Sequence, residues 1–459
     1  MSASVPHRAS LACLVALVAA LLLGACSGDD DGPPSVEAIS FEASGAFAVI
    51  GEELTLEGSG LFGDLEVTVG GVPTTVIDAS GDTALVRVPP GSPVGSVEVV
   101  ASRGFLESAP VAIEVRRLAY TANFTNLTLS VLTVDGTDVE LVGEIPVDVP
   151  PGPFAIAFTP DGRRAVVACS IAFLPQSIVD TLAPGAPPGD SVAIVDAIFG
   201  EVIGVVATGV PSQPSQPTGV AISPDGATAY VTNYVPSTIS MIDIESATLR
   251  QGLAVPRQPE EIAVSSDGTL LFVPSDAGTV STIDTTIVSV LGTVETGGND
   301  PSGVALSPDA QTGYATNSFV DPSFGEDGTL SVLDLADPAS PRVVGTVAAG
   351  IGPTPYDVKV APGGALGVVT NLNVIFEPLS IGPGSISLVD LAAIPPVVIA
   401  TIPVGTAPIH VSITYDGSVA LVPNGLSGTV SVVNLVAQTV AATVPLGIAI
   451  GPADVAVQP

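Results

Sequence analysis

After the first 25 residues, apolar and polar positions alternate in short runs broken by Gly, Pro, Asn and Asp. A period of two puts one face of a strand in a core and the other in water, whereas a helix would repeat near 3.6. In residues 36–116 the runs are Glu66–Val69, Leu85–Val88, Val97–Val100 and Val111–Val115. They predict a small β-sandwich.

Beyond residue 117 the pattern repeats. A Pro opens an alternating run at Pro153, Pro217, Pro259, Pro301, Pro355, Pro408 and Pro452. Six of the runs lead into tight turns at Asp161-Gly162, Asp225-Gly226, Asp267-Gly268, Asp309-Ala310, Gly363-Gly364 and Asp416-Gly417. Such turns need residues that tolerate positive φ. A second strand follows, as in Ala229–Asn233, then a third ending in a carboxylate or amide (Asp243, Asp334, Asn434), then a fourth such as Val397–Ile402. Four antiparallel strands recurring every ~42–65 residues are the signature of propeller blades.

The seventh run stops at Pro459, and the region opens at Leu118–Asn123 as a second strand without a first. The C-terminal strand is therefore expected to complete the opening blade and seal the edge. The expected fold is all-β: an Ig-like sandwich over 36–116, then a seven-bladed propeller over 117–459.

Two resemblances support this division. Gly58-Ser59-Gly60-Leu61-Phe62, Val69–Val72 and Val88-Pro89-Pro90 resemble the IPT/TIG family of immunoglobulin-like domains. That resemblance implies a spacer or adhesive module without catalytic residues. Tyr230-Val231-Thr232-Asn233 and the Pro-Asp-Gly turns resemble the YVTN family of seven-bladed propellers. Residues 1–25 read as a signal peptide, with Arg8 before an apolar stretch from Leu11 to Leu23 that is too short for a comfortable span. Leu23-Gly24-Ala25-Cys26 resembles the lipobox of bacterial lipoproteins, which implies acylation of Cys26. Ser27 after it leans toward the outer membrane rather than inner-membrane retention. Residues 26–35, rich in Gly, Asp, Pro and Ser, then form a solvated tether.

Composition sharpens the picture. Apolar residues make up 46% of the 459, yet aromatics are only 4% and Trp is absent, so the cores are built from Val, Ala, Ile and Leu. The net charge of −35 argues against nucleic-acid binding and leaves a lipid at Cys26 as the route to a membrane. Cys13 belongs to the export signal and Cys26 to the anchor, which leaves Cys169 on an interior strand as a small buried hydrophobe.

Three blades carry extra residues between second and third strands, at roughly 171–189, 319–328 and 373–384, and these crowd one mouth of the channel. The residues two past each repeat Pro also belong near that mouth: Ala155, Gly219, Glu261, Gly303, Asp357, His410 and Asp454. Two positions on stands Lys359, the sole Lys; His410 is the sole His of the mature chain. Glu261, Asp357, Lys359, His410 and Asp454 therefore form the candidate ligand-binding set. They are expected either as an ion-pair network of Lys359 with Asp357 and Asp454, or as a site for a divalent cation or small polar ligand held by Glu261, Asp357, His410 and Asp454.

No Ser-His-Asp arrangement, multi-His metal site or phosphate loop can be drawn from these residues. No catalytic residue and no required cofactor is assigned. The first expectation is a monomeric binding or scaffold protein whose partners are protein or envelope polysaccharide, with adhesion through the sandwich as a variant. The alternatives are a metal-assisted lactonase or sugar-ester hydrolase, or the propeller subunit of a periplasmic oxidoreductase.

Overall fold

A computed structural model describes residues 40–43, 47–146, 152–170, 190–208, 215–319, 328–348, 350–376, 379–447 and 451–459. The signal segment, Cys26, the 26–35 tether and the 171–189 insert lie outside the described residues, as do 320–327 of the second insert. In the third insert, Val374–Phe376 and Leu379–Ile381 pair as a two-stranded hairpin. The described residues contain no helix, and so none long and apolar enough to cross a membrane.

Two sheets form the N-terminal sandwich. One runs Ser40–Ala43, Glu53–Leu61, Gly81–Arg87, Val76–Ala79; the other joins Val72–Thr74, Glu66–Val69, Gly95–Arg103 and Val111–Asn123. Alternation buries Leu54, Leu56, Val67, Val69, Val97, Val99, Ile113 and Val115 between them. Each such aliphatic side chain stabilises by about 1.5–3 kcal/mol on burial.

The boundary expected near residue 116 has no break in the chain. Val111–Asn123 is one strand: Val111–Val115 pairs with Gly95–Val99 of the sandwich, and Arg117–Asn123 pairs with Thr128–Val134. The same strand pairs antiparallel with Pro452–Val457, so the C-terminus lies beside residues 119–123.

Asp138–Pro146 adds to the edge of Thr128–Asp135; from Pro153 to Pro445, apart from the Val374–Phe376 and Leu379–Ile381 hairpin, the strands form separate four-stranded antiparallel sheets, each in sequence order, of the kind that makes a propeller blade. Pro217–Ile222, Thr228–Asn233, Thr238–Asp243 and Thr248–Ala254 are typical. The turn glycines Gly162, Gly226 and Gly268 hold φ near +70°, as the hairpins require, and Ala310 adopts the same region at 54°. Asp243, Asp284 and Asp334 at the ends of third strands accept N–H groups of the turns that follow.

Successive sheets share apolar clusters. Ala155 and Val166 pack with Ala229 and Val231; Tyr230 and Ile239 with Leu271 and Val273; Val419 and Leu421 with Leu132 and Val455. Cys169 is a free thiol in one such cluster, where burial pushes its pKa up to about 12.

The Thr-Asn pair at the end of the second strand has a specific task. After each repeat Pro the inner strand bulges, so that Thr218 and Gly219 together face Thr232, and Tyr356 and Asp357 face Thr370. The Thr232, Thr316 and Thr370 hydroxyls accept the bulge N–H groups of Gly219, Gly303 and Asp357 at 2.8–2.9 Å. The same hydroxyls donate to carbonyls of the next inner segment, at Glu260, Tyr356 and Ile409. The adjoining Asn donates within its own sheet, as Asn233 does to Thr238 and Ser240.

Candidate functional site

The bulge positions the candidate residues. Full strands were expected from Pro259 and Pro408, but the ladders begin only at Ala263 and Ser412, with single bridges at Pro259 and Pro408. Glu261 and His410 thus sit off the ladder, where side chains turn toward the neighbouring inner segment. At equivalent positions Gly219 and Gly303 leave room for that neighbour. A Cβ on Gly303 would lie 2.4 Å from the Tyr356 carbonyl oxygen and 2.5 Å from the Asp357 Cα.

Four of the five candidates meet. Lys359 Nζ lies 3.0 Å from Asp357 Oδ1 and 3.8 Å from Glu261 Oε2. His410 Nδ1 lies 3.1 Å from Glu261 Oε1 and 3.6 Å from Asp357 Oδ2, a charge contact rather than an aligned hydrogen bond. Asp357 and His410 are fully enclosed. Burial raises the Glu261 and Asp357 carboxyls, but Lys359 and His410 overcome it and hold both below the ordinary range. Burial works against the charged forms of Lys359 and His410 too, and the surrounding carboxylates raise both pKa values nonetheless.

Asp454 differs from the expectation that it pairs with Lys359. Its oxygens accept N–H groups of Ile156 at 2.8 Å and Val455 at 2.7 Å, and burial pushes its pKa up to about 6. The cation reading is not supported by the geometry: no group of three or more His, Cys, Asp or Glu among the described residues is arranged to hold a metal ion. The ammonium of Lys359 and the imidazole of His410 stand among the carboxylates instead.

The residues one past each repeat Pro were missed by the sequence reading, and four of the seven line a cavity. On four successive inner segments they are Tyr356, Ile409, Ala453 and Phe154. With Phe124, Thr125, Leu372, Ala407, Leu426 and the chain at 451–452, they line an apolar chamber of about 360 Å³. His410 lies against this lining, its ring edge-on to Phe154 at 6.1 Å and to Tyr356 at 5.5 Å between centroids. The other three such positions are polar: Thr218, Glu260 and Ser302. The Thr218 hydroxyl bonds the Pro259 and Glu260 carbonyls, and that of Ser302 bonds Tyr356 O. Glu260 is the only ionisable carboxyl among the seven. Burial, with Asp300 beside it, pushes its pKa up to about 8 against the opposing pull of His410 and the Tyr356 hydroxyl. Its sequence signal was the apolar or polar type of the residue following each repeat Pro, which was legible without coordinates.

Residues 34–114 match the IPT/TIG domain family. No curated protein matches the chain in sequence. Among solved structures the chain is similar to hydrazine synthase of Kuenenia stuttgartiensis (21% identity, TM-score 0.54), over 67% of this chain and 89% of that one. It is also similar to a functionally unknown protein from Desulfotomaculum acetoxidans (14%, TM-score 0.57; 74% and 98% covered). A third is a candidate 6-phosphogluconolactonase from Bacteroides fragilis (12%, TM-score 0.55; 75% and 98% covered). At these identities the likeness is one of fold, and function must be argued from the site.

Proposed function

We propose that this chain is an exported, lipid-anchored envelope protein whose seven-bladed propeller is a non-catalytic binding head. The pairing of Pro452–Val457 with residues 119–123 and the apolar clusters between successive sheets support ring closure. The Cys26 sequence context supports the anchor, on the outer membrane in preference to the inner, facing the periplasm or the surface. The partner is a protein or envelope polysaccharide presenting an apolar group to the mouth.

One observation carries the binding reading: an open apolar chamber beside a cluster in which Glu261, Asp357, Lys359 and His410 are already paired. Chambers of this size suit one small ligand or one inserted side chain. A hydrolase would need a carboxylate or imidazole free to take a proton beside the substrate. Glu261, Asp357 and His410 are instead held by one another and by Lys359.

Nile red, a neutral apolar dye, tests this with the full chain. Saturable one-to-one fluorescence enhancement that Leu426→Asp abolishes is expected. Absence of binding, or lactone hydrolysis above buffer that Asp357→Asn removes, would replace the binding head with another role.

A further inference from the structure

We infer that the end of the sandwich farthest from the propeller rests on a lipid bilayer, with Phe105 and Phe62 set among net-neutral headgroups. The inference rests on the lipid-anchor reading above and adds a side-chain contact with the same membrane.

Strand register brings three features to that end. Val115 pairs with Gly95 next to the propeller, so Gly95–Arg103 runs away from it and turns into Leu106–Glu107 at the far end. Glu66 pairs with Ser102 there, and the loop 62–65 leads into it. Ser40 pairs with Ser59, so the chain enters the sandwich at the same end. Arg103 joins the loops: its guanidinium lies 4.0 Å from the Phe62 ring centre, and its Nη1 donates to the Gly60 and Phe62 carbonyls at 3.3 and 3.4 Å. Residues 27–39 separate Cys26 from Ser40 and span at most about 50 Å. The propeller is farther from that entry point by the length of Gly95–Arg103, about 30 Å.

The side chains there are apolar where neither turn nor core asks for it. Arg103 pairs with Leu106, so Gly104-Phe105 is a two-residue hairpin loop, and its first position takes the positive φ that Gly104 shows, 62°. The second position is ordinarily polar, yet it holds Phe105, which is fully exposed at 109%. Phe62 is exposed at 44%; of the exposed phenylalanines among the described residues, only Phe199 lies elsewhere. Exposed aromatic rings are sheltered at the boundary of headgroups and acyl chains. Charge sets the lipid class. Asp64, Asp82 and Glu107 are exposed at this end, while Arg103 is engaged by Phe62 and two carbonyls. Anionic headgroups would be repelled, so a neutral bilayer fits, and carboxylates that stay in water limit insertion to the loops.

The chain contains no Trp, so a single introduced indole reports its own surroundings. The test is the emission of Phe105→Trp in the full chain, purified with its lipid and reconstituted in phosphatidylcholine vesicles with and without brominated acyl chains. Bromine should cut that emission at least about twofold, because interfacial rings reach the acyl boundary. Phe199→Trp, on the propeller, should be unaffected. Both positions are exposed, so neither substitution threatens the fold. A vesicle-bound chain whose Phe105→Trp emission ignores bromine, or responds no more than Phe199→Trp, would overturn the inference and leave the anchor standing. Failure of the chain to float with vesicles would overturn both. Water-shielded emission from Phe105→Trp in a Cys26→Ser chain free of lipid would assign the tip to a second copy of the protein and end the bilayer reading.

Discussion

The Asp454 carboxylate accepts the Ile156 N–H at 2.8 Å, joining residues 298 apart in the chain. Asp357 does the same for Val411 N–H at 3.0 Å. Both acids stand two past a repeat Pro, and both receive the N–H three past the next repeat Pro. Where the repeat carries Gly instead, at Gly219 and Gly303, the neighbouring backbone moves into the vacated space. Acid and glycine are two solutions to the same problem of joining adjacent inner segments.

Removing the Asp454 acceptor leaves the Ile156 N–H buried and unpaired. Asp454→Ala should therefore lower unfolding free energy by about 1–3 kcal/mol, and Asp454→Asn, which keeps an oxygen, by less. Urea denaturation of the two variants checks the order; equal losses would show that the hydrogen bond is not what Asp454 contributes.

Lys359→Met removes the cation between Asp357 and Glu261. Its side chain is 36% exposed, so part of the interaction is screened. A loss of roughly 1–3 kcal/mol at neutral pH follows after that discount. Both acids have depressed pKa values when Lys359 is present, so their stabilisation exists above the ordinary carboxyl range and fades as pH falls through it. The variant's deficit should hold between pH 7 and about pH 5 and shrink only as pH falls below about 4, as thermal melts across that range would show.

Gln458 couples the sandwich to the propeller. Its Oε1 accepts Leu118 N–H at 2.9 Å, and its Nε2 donates to Gly162 O at 2.7 Å and Ile50 O at 3.3 Å. Gln458→Ala should cost about 1–3 kcal/mol and loosen the junction. Hydrogen exchange should quicken first at Leu118; unchanged protection there would contradict the role.

Glu260 gives a slope of opposite sign to that of Asp357. A carboxyl raised to about 8 favours its protonated form in the folded chain, so its contribution is complete below the ordinary value and lost as pH rises toward 8. Asp454 titrates lower, near 6, but His410, whose pKa is raised, loses its contribution in the same direction as pH climbs above the ordinary imidazole value, so Glu260 is identified by comparison with its own variant between about pH 6.5 and 8.5. The melting temperature should fall across that window, and fall less in Glu260→Gln. Parallel curves would remove Glu260 as the source.

The local period of two, the Pro-led repeats and the Asp-Gly turns were enough to read strands, turns and their four-fold grouping, because each depends on a few adjacent residues. The same register brought Glu261, Asp357, Lys359 and His410 to one place, since equivalent repeat positions occupy equivalent positions in space. The sequence alone did not reveal the bulge after each repeat Pro, which is a two-strand property: it exists only when Thr218 and Gly219 must share Thr232 as partner. That bulge turns Asp454 to Ile156 instead of to Lys359. It also sends the residue one past the repeat Pro of four segments, Tyr356, Ile409, Ala453 and Phe154, into the lining of one chamber. Which carboxyl faces which cation was settled by contacts between different sheets, and such contacts leave no periodic trace along the chain.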